Sequence, residues 1–143
     1  MRASGEGSFE KVFKLIELSY QHHRTSPMVA KNFAVEAIQL AHSIGDKMAL
    51  GQSYRQLAVC YWTLAEYVQA AENCILSLKI FQTLKNKGEL VASQNVLGLI
   101  YMAQNEHEQA LKYFLMAKGI WEEKENWSEL GKLYNNIGII FLR

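Results

Sequence analysis

The 143-residue sequence has one proline, Pro27, and two cysteines, Cys60 and Cys74. So little proline permits long uninterrupted helices and argues against a β-sandwich punctuated by Pro and Gly. An excess of charge of one sign is also lacking. Fifteen Lys and Arg stand against fourteen Asp and Glu, a formal charge of +1. No global basic field is therefore available to hold a nucleic acid or an anionic membrane. Apolar runs are short: Ile137 to Leu142 has six residues, far below the roughly 20 residues of a spanning helix. Met1 to Ser8 has none of the apolar core of a signal peptide. These absences imply a cytoplasmic chain with no membrane partner, in which the two thiols are small buried hydrophobes and not a disulfide.

Reactive constellations are missing as well. His22 and His23 sit at a helix end, and His42 and His107 stand apart from them, so no metal-ligand spacing arises. There is no P-loop, dinucleotide fingerprint or nucleophile elbow. Glu122-Glu123-Lys124-Glu125 reads as a solvated helix end. The expectation is no catalytic residue, no metal, no cofactor and no enzymatic activity.

What the chain does have is internal repetition. Half of its residues are apolar, enough for one domain with a buried core, and they recur at an offset of 40 without a gap. Leu57, Ala58 and Tyr61 return as Leu97, Gly98 and Tyr101, then as Ile137, Gly138 and Phe141. Glu66, Ala70, Cys74, Ile80, Phe81 and Asn86 return as Glu106, Ala110, Phe114, Ile120, Trp121 and Asn126. Backward, Ala70, Cys74, Ile80 and Asn86 map onto Ala30, Ala34, Leu40 and Asp46.

Within each unit the apolar spacing is helical, as in Leu57, Cys60, Tyr61 and Leu64. Turns at Gly45-Asp46, Leu64 to Tyr67, Asn86-Lys87-Gly88, Gln104 to His107 and Glu125-Asn126 separate the helices. The pattern predicts seven helices, at 8–21, 27–44, 47–64, 67–85, 89–104, 107–124 and 127–142. Ser26-Pro27 opens the second as N-cap and first-turn proline. Small residues at Ala58, Gly98, Gly138, Ala70 and Ala110 let helix axes approach, and Tyr61, Tyr101 and Phe114 fill the space beside them.

The unit 87–126 resembles a tetratricopeptide repeat (TPR), whose pattern is large, Leu, Gly and aromatic in the first helix, then Ala, aromatic and Ala in the second. Here those are Gln94, Leu97, Gly98, Tyr101, Ala110, Phe114 and Ala117. The preceding unit supplies Tyr54, Leu57, Ala58, Tyr61, Ala70, Cys74 and Ser77, and the last segment supplies Tyr134, Ile137, Gly138 and Phe141. In the first unit Ala30, Ala34 and Ala37 match, whereas Phe13, Ile16 and Tyr20 fit only after a one-residue shift. The period is 40, not about 34, so the helices are longer, as in bacterial signalling proteins and peptide-binding scaffolds.

The resemblance implies an all-α, right-handed α-solenoid of about three and a half antiparallel hairpins: repeats 8–46, 47–86 and 87–126, a partial one at 127–143, and a flexible segment 1–7 before them. It implies a protein or peptide partner on the concave face of the first helices, at Lys14, Arg55, Asn95 and Asn135, with Val59, Leu99, Trp62 and Met102 beside them. Guanidinium and amide groups suit a peptide backbone or carboxylate. The family's carboxylate clamp wants Asn where Val59, Leu99 and Ile139 stand, which disfavours capture of chaperone C-termini.

A chain stopping after a lone first helix reads as part of a longer protein whose uncovered α-helical face invites self-association. The function expected is a non-catalytic interaction module, the scaffolding or sensory part of a signalling protein. A regulatory domain of a larger enzyme, such as a kinase or nucleotide cyclase, is the alternative. RNA binding would need a basic stripe, for which only Lys14, Arg55 and Lys132 are candidates.

Overall fold

The computed structural model describes the backbone of residues 2–142 and the side chains of residues 7–142. Seven helices follow one another: α1 (Arg2–His22), α2 (Pro27–Ile44), α3 (Lys47–Thr63), α4 (Tyr67–Leu84), α5 (Lys87–Ala103), α6 (His107–Glu123) and α7 (Trp127–Leu142). Among the described residues there is no strand, and no helix is long and apolar enough to cross a membrane. α1 starts six residues before the expected Ser8, because extending a formed helix costs far less than nucleating one, even through Gly5 and Gly7. Met1 lies outside the described residues.

The turns obey a strict count. Gly45, Ala65, Lys85, Asn105 and Glu125 all have positive φ, between 53° and 72°, and stand 20 residues apart. The next residue opens a helix: Asp46, Asn86 and Asn126 accept the amides of Ala49, Glu89 and Glu129 at 3.1, 3.0 and 3.3 Å. These caps are the aligned polar residues of the repeat. Two expectations need correction. Ser26 makes no side-chain cap, so Pro27 alone marks the start of α2. Gly88 lies inside the first turn of α5, and the left-handed turn residue is Lys85, whose side chain points to solvent.

Consecutive helices pack against each other, and α1 also touches α3 as α3 touches α5. The layer whose members touch is the inner side of the α-solenoid. Two glycine contacts set the closest crossings. A Cβ at Gly98 would stand 2.5 Å from Cε1 of Phe114, and one at Gly51 would stand 2.6 Å from Cζ of Phe81. The hairpins distribute volume oppositely. α3–α4 pairs Gly51 with Phe81 and Ala58 with Cys74, whereas α5–α6 has Val91 with Trp121 and Gly98 with Phe114, all buried.

In α1 the inward row is Val12, Leu15 and Ser19, while Phe13 and Tyr20 are exposed. The one-residue shift holds, since Val12 and Ser19 stand 41 residues before the buried Ser53 and Cys60 and the turn after α1 is one residue longer than the turn after α3; what differs is that Phe13 and Tyr20 are not covered. Small Ser19 admits the close approach of α2, and its hydroxyl donates to the Ala30 carbonyl at 2.7 Å. On α7, Leu133 and Ile140 are buried in the cluster shared with α5 and α6, better covered than expected, and Phe141 is 73% exposed. Both thiols are free and buried. Burial pushes Cys74 up to about 12, with its Sγ donating to the Ser93 carbonyl at 3.2 Å. Burial raises Cys60 likewise.

Candidate functional groove

The inner helices run parallel and enclose a groove of about 420 Å³. Its floor is aliphatic, from Ile16 of α1, Val59 of α3 and Val96 of α5, and its walls are Glu17, Tyr20, Gln52, Arg55 and Gln56. On α3 the spacing i, i+3, i+4, i+7 from Gln52 to Val59 puts all four side chains on one face.

Arg55 is engaged within the chain. One guanidinium nitrogen donates to Glu89 Oε2 at 3.1 Å, and the other to the Glu89 carbonyl and to Ser93 Oγ, each at 3.3 Å. Gln52 Nε2 donates to the same Glu89 carboxylate at 3.0 Å, and the Phe81 ring lies 5.5 Å from the guanidinium carbon. Arg55 and Glu89 thus clip α3 to α5, and among the described residues Glu17 has no ion-pair partner in the groove. The pair is only 19% and 23% exposed, so it is screened less than a surface pair. A double-mutant cycle with Arg55→Ala and Glu89→Ala should give a coupling of about 1–2 kcal/mol by chemical denaturation. A coupling near zero would show that the clip adds nothing to hairpin stacking.

Toward the C-terminal ends of α1, α3 and α5 lies a second hollow of about 430 Å³, lined by His23, Arg24, Trp62, Thr63, Tyr67 and Ala103. Thr63 Oγ1 donates to the Val59 carbonyl at 3.0 Å and lies 3.4 Å from His23 Nδ1. The hydroxyl proton is used, so Nδ1 carries the imidazole proton and donates, leaving Nε2 as acceptor. Burial, helped by nearby Arg24, holds His23 below the usual imidazole range and neutral at pH 7.

Of the residues expected at the site, Arg55 and Val59 line the groove and Trp62 lines the second hollow. Leu99 and Met102 are half-buried against the α5–α6–α7 core, Asn95 is half-buried on α5, and Lys14 and Asn135 are exposed on α1 and α7. Ile16, Glu17, Tyr20, Gln56 and Val96 are groove residues that the repeat register passed over. The helical spacing from Gln52 would have added Gln56.

Helix pairs stacked in one direction, with the inner helices lining a groove, define an all-α helical-repeat protein. Solved structures bear this out. Aspartyl phosphate phosphatase F from Bacillus subtilis superposes with a TM-score of 0.84 at 20% identity, over 92% of this chain and 35% of that one. The apo form of RapI gives a TM-score of 0.88 at 20% identity, over 98% and 51%. BtubC from P. vanneervenii gives 0.76 at 19% identity, over 99% and 65%. The chain thus spans about a third to two thirds of the length of these neighbours. No family model and no curated protein matches it in sequence.

Proposed function

We propose that the chain is a non-catalytic, cytoplasmic interaction module of TPR type that binds a peptide or protein segment in the groove between α1, α3 and α5. The observation that carries this is the lining itself: an aliphatic floor of Ile16, Val59 and Val96, bordered by Gln52, Gln56 and Tyr20. Apolar side chains of a segment fit the floor, and amide and phenol groups serve its backbone. With Arg55 held by Glu89, the groove suits an apolar segment better than an acidic one. Nucleic acid is not the partner of a chain with a formal charge of +1. Self-association through α7 belongs to the same reading.

A second reading makes the module the regulatory part of a larger enzyme. It draws on the length of the neighbour aspartyl phosphate phosphatase F, of which this chain covers 35%.

Peptide display against the folded chain tests the groove. Selected peptides should lose at least tenfold in affinity, about 1.4 kcal/mol, on Val59→Asp. Lys112→Ala, away from the groove, should leave binding unchanged. Equal affinity for the Val59 variant would move the site elsewhere.

A further inference from the structure

Between the outer helices α4 and α6, with α5 beneath them, lies a hollow of about 220 Å³ on the side opposite the groove. Gln94 of α5 reaches it. That side chain is 3% exposed, and its Oε1 is buried with no hydrogen-bond partner among the described residues. A carboxamide left unpaired in this way lowers stability, and a ligand that pairs it recovers the loss. A half-turn of the amide about its last torsion exchanges Oε1 and Nε2, so it can offer the hollow an acceptor or a donor. Ile75 and Leu78 of α4 and Met116 of α6 make apolar walls. Lys79 and Lys112, both exposed, stand on the two outer helices, and among the described residues neither has a carboxylate partner. The Lys112 ammonium lies 5.6 Å from the centroid of the Tyr113 ring, which also lines the hollow.

The repeat separates what packing requires here from what it does not. Forty residues earlier the walls recur as Val35, Ile38 and Leu76, apolar as before. The polar positions do not recur: Gln94 stands in place of Tyr54, Lys79 in place of Gln39 and Lys112 in place of Glu72. Forty residues later the first of these positions is tyrosine again, Tyr134. Three departures from the repeat thus meet at one hollow. An aromatic ring is exchanged for a carboxamide, and one negative charge gives way to two positive ones.

The volume is below the roughly 300–1,000 Å³ of pockets for drug-sized ligands, which suits a single amino-acid-sized unit. We propose that this hollow binds an organic acid of that size, with its carboxylate held by Lys79 and Lys112, its apolar body against Ile75, Leu78 and Met116, and an N–H donated to Gln94 Oε1. An acylated apolar amino acid has all three parts, free or as the last residue of a peptide. Inorganic phosphate lacks the apolar body and the N–H, and a simple fatty acid lacks the N–H. The site is separate from the groove of α1, α3 and α5, so either can fail without the other.

Titration of the folded chain with N-acetyl-leucine, followed by amide and methyl NMR, should shift the side-chain NH2 pair of Gln94 and the methyl of Met116. Loss of that NH2 pair in Gln94→Leu assigns it. N-acetyl-leucinamide, without the carboxylate, and 4-methylpentanoate, without the N–H, should each bind at least about tenfold more weakly. Lys112→Ala, an exposed substitution that leaves the fold intact, should weaken N-acetyl-leucine while groove peptides bind as before. Gln94→Leu should hold or raise the melting temperature, since it removes an unpaired polar group, and should abolish the preference for N-acetyl-leucine over 4-methylpentanoate.

No shift at Gln94 with millimolar N-acetyl-leucine overturns the proposal. So does equal binding of the acid and its amide, or an affinity indifferent to Lys112→Ala. A tripeptide ending in leucine that binds as tightly as N-acetyl-leucine assigns the chemistry to a chain end, and weaker binding assigns it to a free acid; both agree with the site.

Discussion

Replacing Phe114 with alanine is expected to cost about 3–5 kcal/mol of stability. The side chain is fully buried in the cluster that joins α5, α6 and α7, together with Val91, Trp121, Leu130 and Leu133. Gly98 lies beneath it and has no side chain that could swing into the vacated space, so the cavity persists. Urea denaturation measures the loss; a loss below about 1 kcal/mol would mean that α6 collapses onto α5 and that the packing is not set by this ring.

Gly98→Ala should produce the second large effect, through the same contact from the other side. A Cβ there meets three ring atoms of Phe114 at 2.5 to 2.9 Å, and the fully buried ring has nowhere to move. The expected loss is about 1–3 kcal/mol, although alanine is the better helix former by about 1 kcal/mol. Gly138→Ala is the control, with the same residue type at the same place in the repeat and nothing within 4 Å. It should raise the stability of the monomer by about 1 kcal/mol, measured in dilute protein. Stabilisation by both substitutions would show that helix propensity, and not the aromatic contact, governs both sites.

The repeat was legible in the sequence because its small and large residues stand at crossings where volume is constrained in every hairpin. Asp46, Asn86 and Asn126 were legible for the same reason, since each N-terminus of an inner helix needs an acceptor. Other features were hidden for particular physical causes. The Gly51–Phe81 contact has no visible copy, because Val91 and Trp121 solve that crossing with the volumes redistributed. In α1 the aromatic Phe13 and Tyr20 resembled core residues, whereas the helix is oriented by the small Ser19. Arg55 read as a ligand-binding cation because its partner, Glu89, lies 34 residues away on the next hairpin, and only the stacking of α3 on α5 brings them together. Lys85 and Glu125 concealed their turns by adopting, without glycine, a backbone that usually costs about 1–2 kcal/mol.

The 20-residue count between left-handed turns limits how this chain can change its length. Helices α2 to α6 have 17 or 18 residues, close to five turns, so each ends on nearly the azimuth where it began. Deleting one residue within such a helix would rotate everything after it by about 100°, turning a polar face toward its neighbour. Length variation is therefore confined to the turns or to whole hairpins, and close relatives are expected to differ by gains or losses of about 40 residues far more readily than by one or two.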